Sequence, residues 1–392
     1  MRRPARRSSR EADGLHFPLL GTRYIAGGEV GKRFFSRRKR SSDRPLTRAR
    51  VIPVGGSETR AATGSLPIVT GRKLMLVSGR ANPALARAIG HKLGIELSHI
   101  TLKTFSAGEV YCRFDESVRG AEVFIVQPTC ANPVTGISAN DAMMELLVMI
   151  DAAVGASAHR VVAVMPWYGY SRQDKKSALR EPITARLVAQ LLETAGIDRM
   201  LTIDLHAGQI QGFFRKPVDH MTALLLIADY FRSLELDDLV VVAPDVGRVK
   251  LNHKFAEMIG ADLALMTKER PAQQVAEVGY VIGDVRGKTA VILDDIIDTA
   301  GTLIAAGQTV VDEGAARVFA ACTHPVFSGP AYERIANSAF EQVVVTDTIP
   351  LRDGAPDNVV VLSCASLLAD TIRQIFTQGS VSQIFGGENQ SF

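Results

Sequence analysis

The run Ala290-Val291-Ile292-Leu293-Asp294-Asp295-Ile296-Ile297-Asp298-Thr299-Ala300-Gly301-Thr302 joins an apolar strand to paired acids and then to a small, hydroxyl-rich turn. Small residues let a backbone approach a phosphate. Backbone N–H groups and the hydroxyls of Thr299 and Thr302 can donate to it where the next helix begins. Asp294 and Asp295 can accept from ribose hydroxyls, directly or through a cation, because carboxylates are acceptors and hard-metal ligands. The segment reads as a cradle for a phosphorylated sugar. The plainer alternative is that acids ending a strand cap the following helix.

Such chemistry needs a scaffold that brings several loops to one edge. From residue 73 onward strands and helices alternate, which predicts an α/β fold with mainly parallel sheets flanked by helices. Ligands in open α/β sheets lie beyond the carboxyl ends of the strands, and four predicted strands end in reactive residues. Val161 to Met165 runs into Trp167-Tyr168-Gly169-Tyr170-Ser171-Arg172-Gln173-Asp174-Lys175-Lys176, a polar loop with enough donors to hold a nucleotide. Met200 to Ile203 ends at Asp204-Leu205-His206. Val240 to Ala243 ends at Pro244-Asp245-Val246-Gly247, and Ala290 to Leu293 ends at the sugar loop.

The pattern occurs twice. Leu74 to Ser78 precedes a helical stretch ending at Gly94, as Leu239 to Ala243 precedes one ending at Gly260. Val118-Arg119-Gly120 and Val285-Arg286-Gly287 each introduce a further strand, as do Arg160-Val161-Val162-Ala163 and Arg317-Val318-Phe319-Ala320. Each match alone is weak, but their common order predicts a duplicated α/β domain, residues 73–221 and 222–379, with a short tail at 380–392. The halves differ where the chemistry sits. Opposite Asp294 to Thr302 the first half has Gln127 to Thr135, without acids. It is expected to have lost sugar-phosphate binding and kept the fold.

A chain of 392 residues suits two domains of ordinary size. The net charge of +4 hides an asymmetry: residues 1–72 carry 15 Arg and 2 Lys against 5 acids, an excess of 12, leaving −8 for residues 73–392. The leader lacks sustained apolar periodicity and is expected to be disordered. A basic tail attracted to RNA or membrane, an organelle transit peptide, and upstream sequence added by an overlong gene model are its competing readings, the last favoured. No apolar run approaches the roughly 20 residues of a membrane helix. The four cysteines are scattered without CxxC spacing, which predicts neither a zinc site nor a disulfide framework and fits a reducing cytoplasm.

Residues 73 to about 387 resemble class I ribose-phosphate pyrophosphokinases, also called phosphoribosyl pyrophosphate synthetases. The resemblance rests on motifs in a fixed order: Phe105 to Glu109, Tyr168 to Asp174, Arg180 to Thr184, Asp204 to Phe214, Lys268 to Pro271, Asp294 to Thr302, and Thr323-His324-Pro325. It implies two tandem phosphoribosyltransferase-like domains. It also implies transfer of the β,γ-pyrophosphoryl group of ATP to the anomeric hydroxyl of ribose 5-phosphate, giving phosphoribosyl pyrophosphate and AMP.

The same resemblance implies the roles of single residues. His206 and Asp245 would help hold Mg²⁺. Lys268 and Arg270 would form the pair on a loop that closes over the transferring group. Phe105 would stack on adenine, with Ala107, Gly108, Glu109, Arg172 and Gln173 contacting the base and phosphates. Asp294 and Arg270 would serve the ribose 5-phosphate, and Asp298, Thr299, Ala300, Gly301 and Thr302 would grip its phosphate. The segment of Phe105 would come from a neighbouring subunit, so a homo-oligomer is implied, usually a hexamer. No membrane and no specific nucleic acid are expected as partners. No general base is obvious, and a metal-lowered pKa of the attacking hydroxyl would take its place.

Four positions depart from the family pattern: Ala107, Ala178, Arg248 where many relatives have a second Gly, and Glu269 within Lys268-Glu269-Arg270. Two other readings follow. One is a non-catalytic, synthetase-associated subunit, favoured weakly by Ala107 and Ala178. The other is a phosphoribosyltransferase, which shares the sugar loop but needs neither the duplication nor the loop around Arg172.

Overall fold

The computed structural model describes residues 51–52, 71–269 and 278–385. The first half contains β1 (Val51–Ile52), β2 (Leu74–Ser78), α1 (Pro83–Leu93), β3 (Ile100–Thr104), β4 (Val110–Phe114), β5 (Glu122–Val126), α2 (Ala139–Gly155), β6 (Arg160–Met165), α3 (Thr184–Ala195), β7 (Arg199–Ile203) and β8 (Val218–Met221). The second contains α4 (Leu224–Ser233), β9 (Leu239–Ala243), α5 (Val249–Ile259), β10 (Asp262–Glu269), β11 (Val278–Ile282), β12 (Thr289–Ile297), α6 (Gly301–Asp312), β13 (Arg317–Pro325), α7 (Ala331–Ala336), β14 (Gln342–Thr346), β15 (Val359–Leu362) and α8 (Ala365–Thr377).

The duplication is visible in the sheet orders. The first half forms a parallel sheet β2-β5-β6-β7-β8, and the second repeats it as β9-β12-β13-β14-β15. In each half an antiparallel hairpin is inserted after the helix that follows the first sheet strand, β3–β4 after α1 and β10–β11 after α5. The first hairpin forms a sheet of its own, whereas β10 also pairs with β9 and widens the second sheet.

Local chemistry explains the boundaries. Helix α1 begins with Asn82, whose side chain accepts from the N–H of Leu85, followed by Pro83, and it ends on Gly94 at φ +72°. Ser138 and Asp141 form a reciprocal capping box at the start of α2. The central strands are valine- and isoleucine-rich and buried on both faces, as parallel strands covered by helices must be.

Alternation along each strand divides the core. In β5, Val123 and Ile125 face a cluster belonging to the first half, while Phe124 and Val126 face another. That second cluster is shared: Leu76, Phe124 and Val162 belong to the same apolar body as Val241, Val291 and Phe319, joined through α1, α4, α5 and α8. The halves are repeats in sequence, but one core runs through both.

A polar network adds to this apolar contact. His324, fully buried at the end of β13, lies with Nε2 at 3.1 Å from the carbonyl of Ile203 and 3.0 Å from that of Asp204, both at the end of β7. Both partners of Nε2 are carbonyl acceptors, so that nitrogen carries the proton. Nδ1 then accepts from the Thr348 hydroxyl at 3.0 Å. Thr323 donates to the Asp204 carboxylate at 2.6 Å.

The leader is not without regular structure throughout. Val51–Ile52, expected in a disordered segment, pair in parallel with Val361 and Leu362 of β15 and occupy the edge of the larger sheet. Arg72, the last residue assigned to the leader, donates to the buried carboxylate of Glu122 at 3.0 Å. Residues 1–50 and 53–70 lie outside the described residues.

Asp347, beyond β14, accepts from the Cys364 N–H at 2.7 Å and the Ser363 hydroxyl at 2.6 Å. Burial nevertheless pushes its carboxyl up from 3.8 to about 6. A raised carboxyl contributes stability that is present below its unfolded value and is lost as pH rises through the folded one. Ionisation in place then costs about 3 kcal/mol, at about 1.4 kcal/mol per pH unit. Asp347→Asn should therefore gain on the parent by about this amount between pH 3.5 and pH 7. Denaturant titrations of both proteins across that range measure it, and a constant difference would show that Asp347 does not control this pH dependence.

Candidate active site

The carboxyl ends of β6, β7, β9 and β12 open onto one cavity of about 1130 Å³. Arg172, Asp174 and Lys175 reach it from the loop after β6. Asp204 and His206 follow β7, Asp245 and Arg248 follow β9, Asp294 and Asp295 belong to β12, and Thr323 comes from β13. Both halves supply walls, so the duplicated topology places its two sets of strand ends around one space.

The two acids of β12 do different things. Asp294 faces the cavity with its side chain about one-third exposed, whereas Asp295 is 4% exposed. Asp295 is held on both oxygens, by Arg248 Nη2 at 2.7 Å and by His206 Nδ1 at 2.8 Å. Burial would push its carboxyl up, but the hydrogen bond from His206 and the Arg248 guanidinium outweigh that and hold it well below the usual carboxylate range. Asp294 moves the other way. Burial, and then the neighbouring charge of Asp295, push it up, and Arg248 at 3.4 Å only partly offsets this. Asp294 therefore favours a cation or hydroxyl donors at its free oxygen. Asp295, considered from the sequence for ribose hydroxyls, is turned to protein partners instead.

His206 and Asp245 line the same cavity. The Asp245 carboxylate caps the turn that follows it, accepting from the Arg248 N–H at 3.1 Å. Among the described residues no three His, Cys, Asp or Glu side chains converge closely enough to hold a metal ion by themselves.

Beyond the acids, the phosphate-type loop has the tight backbone its composition predicts. Ala300 sits at φ +59°, a left-handed conformation that is strained for a residue with a side chain. A Cβ on Gly301 would lie 3.2 Å from Arg334 Nη1, which itself donates to the Thr299 carbonyl at 2.8 Å. The Asp298 carboxylate accepts from Arg172 at 2.7 Å. An ionised acid repels phosphate, so Asp298 in this arrangement holds Arg172 of the loop after β6 rather than a phosphate. The pair ties the two loops together across 126 residues of chain.

The remaining predicted residues are dispersed. Phe105, Ala107, Gly108 and Glu109 lie on the exposed β3–β4 turn and do not line the cavity. Phe105 is 45% exposed, edge-on to Tyr111, with Lys103 Nζ 5.1 Å from its ring centre. Gln173 accepts from Thr184 at the start of α3 and does not reach the cavity either. Lys268 lies in β10 opposite Gly279 of β11, and Arg270 lies outside the described residues. In the first half, the counterpart of Asp294 is Gln127. It is fully buried and bonded to Ala81 N–H, the Ala142 carbonyl and Glu145, so its polar atoms are committed to the fold. Arg248 was legible in the sequence only as a departure from the family pattern, and its place among the acids was not.

Residues 74–196 match the N-terminal domain of ribose phosphate pyrophosphokinase, and residues 264–386 match the phosphoribosyl synthetase-associated domain. A ribose-phosphate pyrophosphokinase of Caldanaerobacter subterraneus is 50% identical over 314 residues, 80% of this chain and 98% of the relative. One from Staphylococcus saprophyticus is 48% identical over 316 residues, 80% of this chain and 97% of the relative. The crystal structure of phosphoribosylpyrophosphate synthetase from Mycobacterium smegmatis superimposes with a TM-score of 0.74 at 45% identity, covering 79% of this chain and all of that one. With a cavity built from both halves, and likeness at this level along nearly the whole length of its relatives, the chain belongs to the ribose-phosphate pyrophosphokinase family.

Proposed function

We infer that this protein transfers the β,γ-pyrophosphoryl group of ATP to the anomeric hydroxyl of ribose 5-phosphate, forming phosphoribosyl pyrophosphate and AMP for nucleotide biosynthesis. The observation that carries the reading is that Arg172 and Lys175 of the loop after β6 and Asp294 at the start of the sugar-type loop line one cavity, while Asp298, outside that lining, bonds Arg172 and keeps the following turn beside it.

Phosphoryl transfer depends mainly on alignment and on cancelling developing charge. Arg172 and Lys175 offer cations to the nucleotide phosphates from the loop after β6. Asp294 accepts from ribose hydroxyls, while the backbone and hydroxyls of Thr299 to Thr302 hold the 5-phosphate at the start of α6. The anomeric oxygen then attacks the β-phosphorus in line, and AMP departs. Lys268, near the end of β10, and Arg270 act over the transferring group. Phe105, Ala107, Gly108 and Glu109, exposed on their turn, serve the adenine of a neighbouring copy, which requires a homo-oligomer, a hexamer by family resemblance.

The donor set suits Mg²⁺. A carboxylate-rich cavity without a complete protein cage fits an ion that takes one or two carboxylates and fills its remaining positions with water and substrate phosphates. His206 and Asp245, which line the same cavity, are the residues that would hold it. When bound, it would neutralise the pyrophosphoryl oxygens and lower the pKa of the attacking hydroxyl. Among the described residues no helix is long and apolar enough to cross a membrane, and the scattered free cysteines fit a cytoplasmic enzyme.

The test is incubation with Mg²⁺ and ATP, with and without ribose 5-phosphate, resolving AMP from ADP. AMP appearing only with the sugar, matched by phosphoribosyl pyrophosphate, is the expected result. ADP would indicate an ordinary kinase, and ligand binding without turnover would indicate a regulatory subunit.

A further inference from the structure

The contacts of His206 contain a conflict that only a proton on Nδ1 resolves. Its Nδ1 lies 2.8 Å from Asp295 Oδ2 and 3.0 Å from Arg248 Nη2. A ring nitrogen either carries a proton or offers a lone pair. Were Nδ1 to accept from Arg248, it would face the carboxylate oxygen as a second acceptor at hydrogen-bond distance, which is repulsive. With the proton on Nδ1, the ring donates to Asp295, and the same Arg248 nitrogen is satisfied by Asp295 Oδ1 at 2.7 Å. That leaves Nε2, which has no hydrogen-bond partner among the described residues, on a ring that lines the cavity. Histidines that bind metals commonly donate their other ring N–H to a carboxylate, which fixes the tautomer and orients the ring.

We propose that Asp295 and Arg248 are a positioning pair for His206: Arg248 holds the Asp295 carboxylate, and Asp295 accepts from Nδ1–H, so that Nε2 is presented to the cavity as an electron-pair donor. The proposal rests on the reading of His206 as a residue that holds a divalent cation. It assigns Asp295 a task other than sugar binding, consistent with its burial and with both its oxygens being occupied. It also gives Arg248 a use. The side chain is 17% exposed and reaches both acids of β12, so it keeps two adjacent carboxylates and a histidine in one arrangement before any ligand arrives.

The experiment measures Mn²⁺, a paramagnetic substitute for Mg²⁺, binding to full-length protein saturated with ribose 5-phosphate. No turnover occurs without nucleotide. Side-chain ¹⁵N resonances of His206 are recorded in parallel. His206→Ala and Asp295→Ala should each weaken Mn²⁺ binding by about 10–100-fold, and the double variant should be little worse than either. The wild-type ring should show the Nδ1–H tautomer, which Asp295→Ala should lose. Asp295→Asn keeps an acceptor for Nδ1–H, so it should retain that tautomer and bind Mn²⁺ better than Asp295→Ala. It also serves as the second variant should the alanine protein not fold. Arg248→Gln should produce a smaller loss in the same direction.

If His206→Ala binds Mn²⁺ like the parent, the cation reading fails and the proposal falls with it. If His206→Ala weakens binding but both Asp295 variants do not, the reading stands and only the proposal is overturned. An Nε2–H tautomer in the parent protein, or fully additive losses in the double variant, would also overturn it, the latter because Asp295 would then act independently of His206.

Discussion

Replacing Lys268 with alanine should lower kcat by roughly 10²–10³-fold, about 3–4 kcal/mol of transition-state stabilisation, the range seen when one preorganised donor to developing charge is removed. The pyrophosphoryl group carries its greatest negative charge on the bridging and peripheral oxygens as the bond to AMP breaks, and an ammonium held beside them acts mostly at that stage. KM for ribose 5-phosphate should change little, because a group that acts only in the transition state leaves ground-state binding intact. Lys268 lies in β10, paired across the hairpin with Gly279, and the connection that follows contains Arg270. Steady-state kinetics with both substrates varied is the measurement. Undiminished turnover would remove Lys268 from the mechanism, and a rise in KM alone would make it a binding residue.

Replacing His324 with alanine should destabilise the protein by about 3–5 kcal/mol, among the larger effects expected of a single substitution. Three losses combine. The fully buried imidazole leaves a cavity beside Trp167, whose ring centre lies 4.8 Å away. The carbonyls of Ile203 and Asp204 lose a shared donor, and the Thr348 hydroxyl loses one of its two acceptors, keeping the Thr323 carbonyl at 3.0 Å. These groups lie where β13 of the second half meets β7 of the first, so the variant should also loosen the two walls of the cavity against each other. Urea denaturation followed by fluorescence of Trp167, the only tryptophan, would report both effects, because the probe sits against the altered side chain. A loss below about 1 kcal/mol would mean that the surrounding core repacks around the missing ring. Asp204 shares in this junction: at φ +37° it keeps a strained backbone while its carboxylate accepts from Thr323 and from the N–H of Ala223.

Much of this molecule is determined by local sequence. The paired acids and small residues of Asp294 to Thr302, the repeated Val-Arg-Gly triplets before strands, and Gly94 and Gly260 in equivalent helix ends all act over a few residues. Strand order follows from repeating one α/β unit twice, which is why the duplication could be read from landmarks in a common order. The strand-end loops likewise had to meet at one edge, because parallel strands all end on the same side of their sheet.

Tertiary structure decided which side chains pair once they arrived there. Asp294 and Asp295 are indistinguishable neighbours in sequence and both line the cavity, yet Asp294 stays about one-third exposed there while Asp295 is buried against His206, 89 residues away. Arg248 reads as an interruption of a small-residue turn until the end of β9 is placed beside β12. Asp298 sits in sequence among residues expected to grip a phosphate, and only the approach of the loop after β6 gives it Arg172 as a partner. Local pattern fixes backbone path through steric and hydrogen-bond preferences that act within a few residues. Pairing of charges depends on distances across the fold, where ångström differences decide between a ligand contact and an internal ion pair.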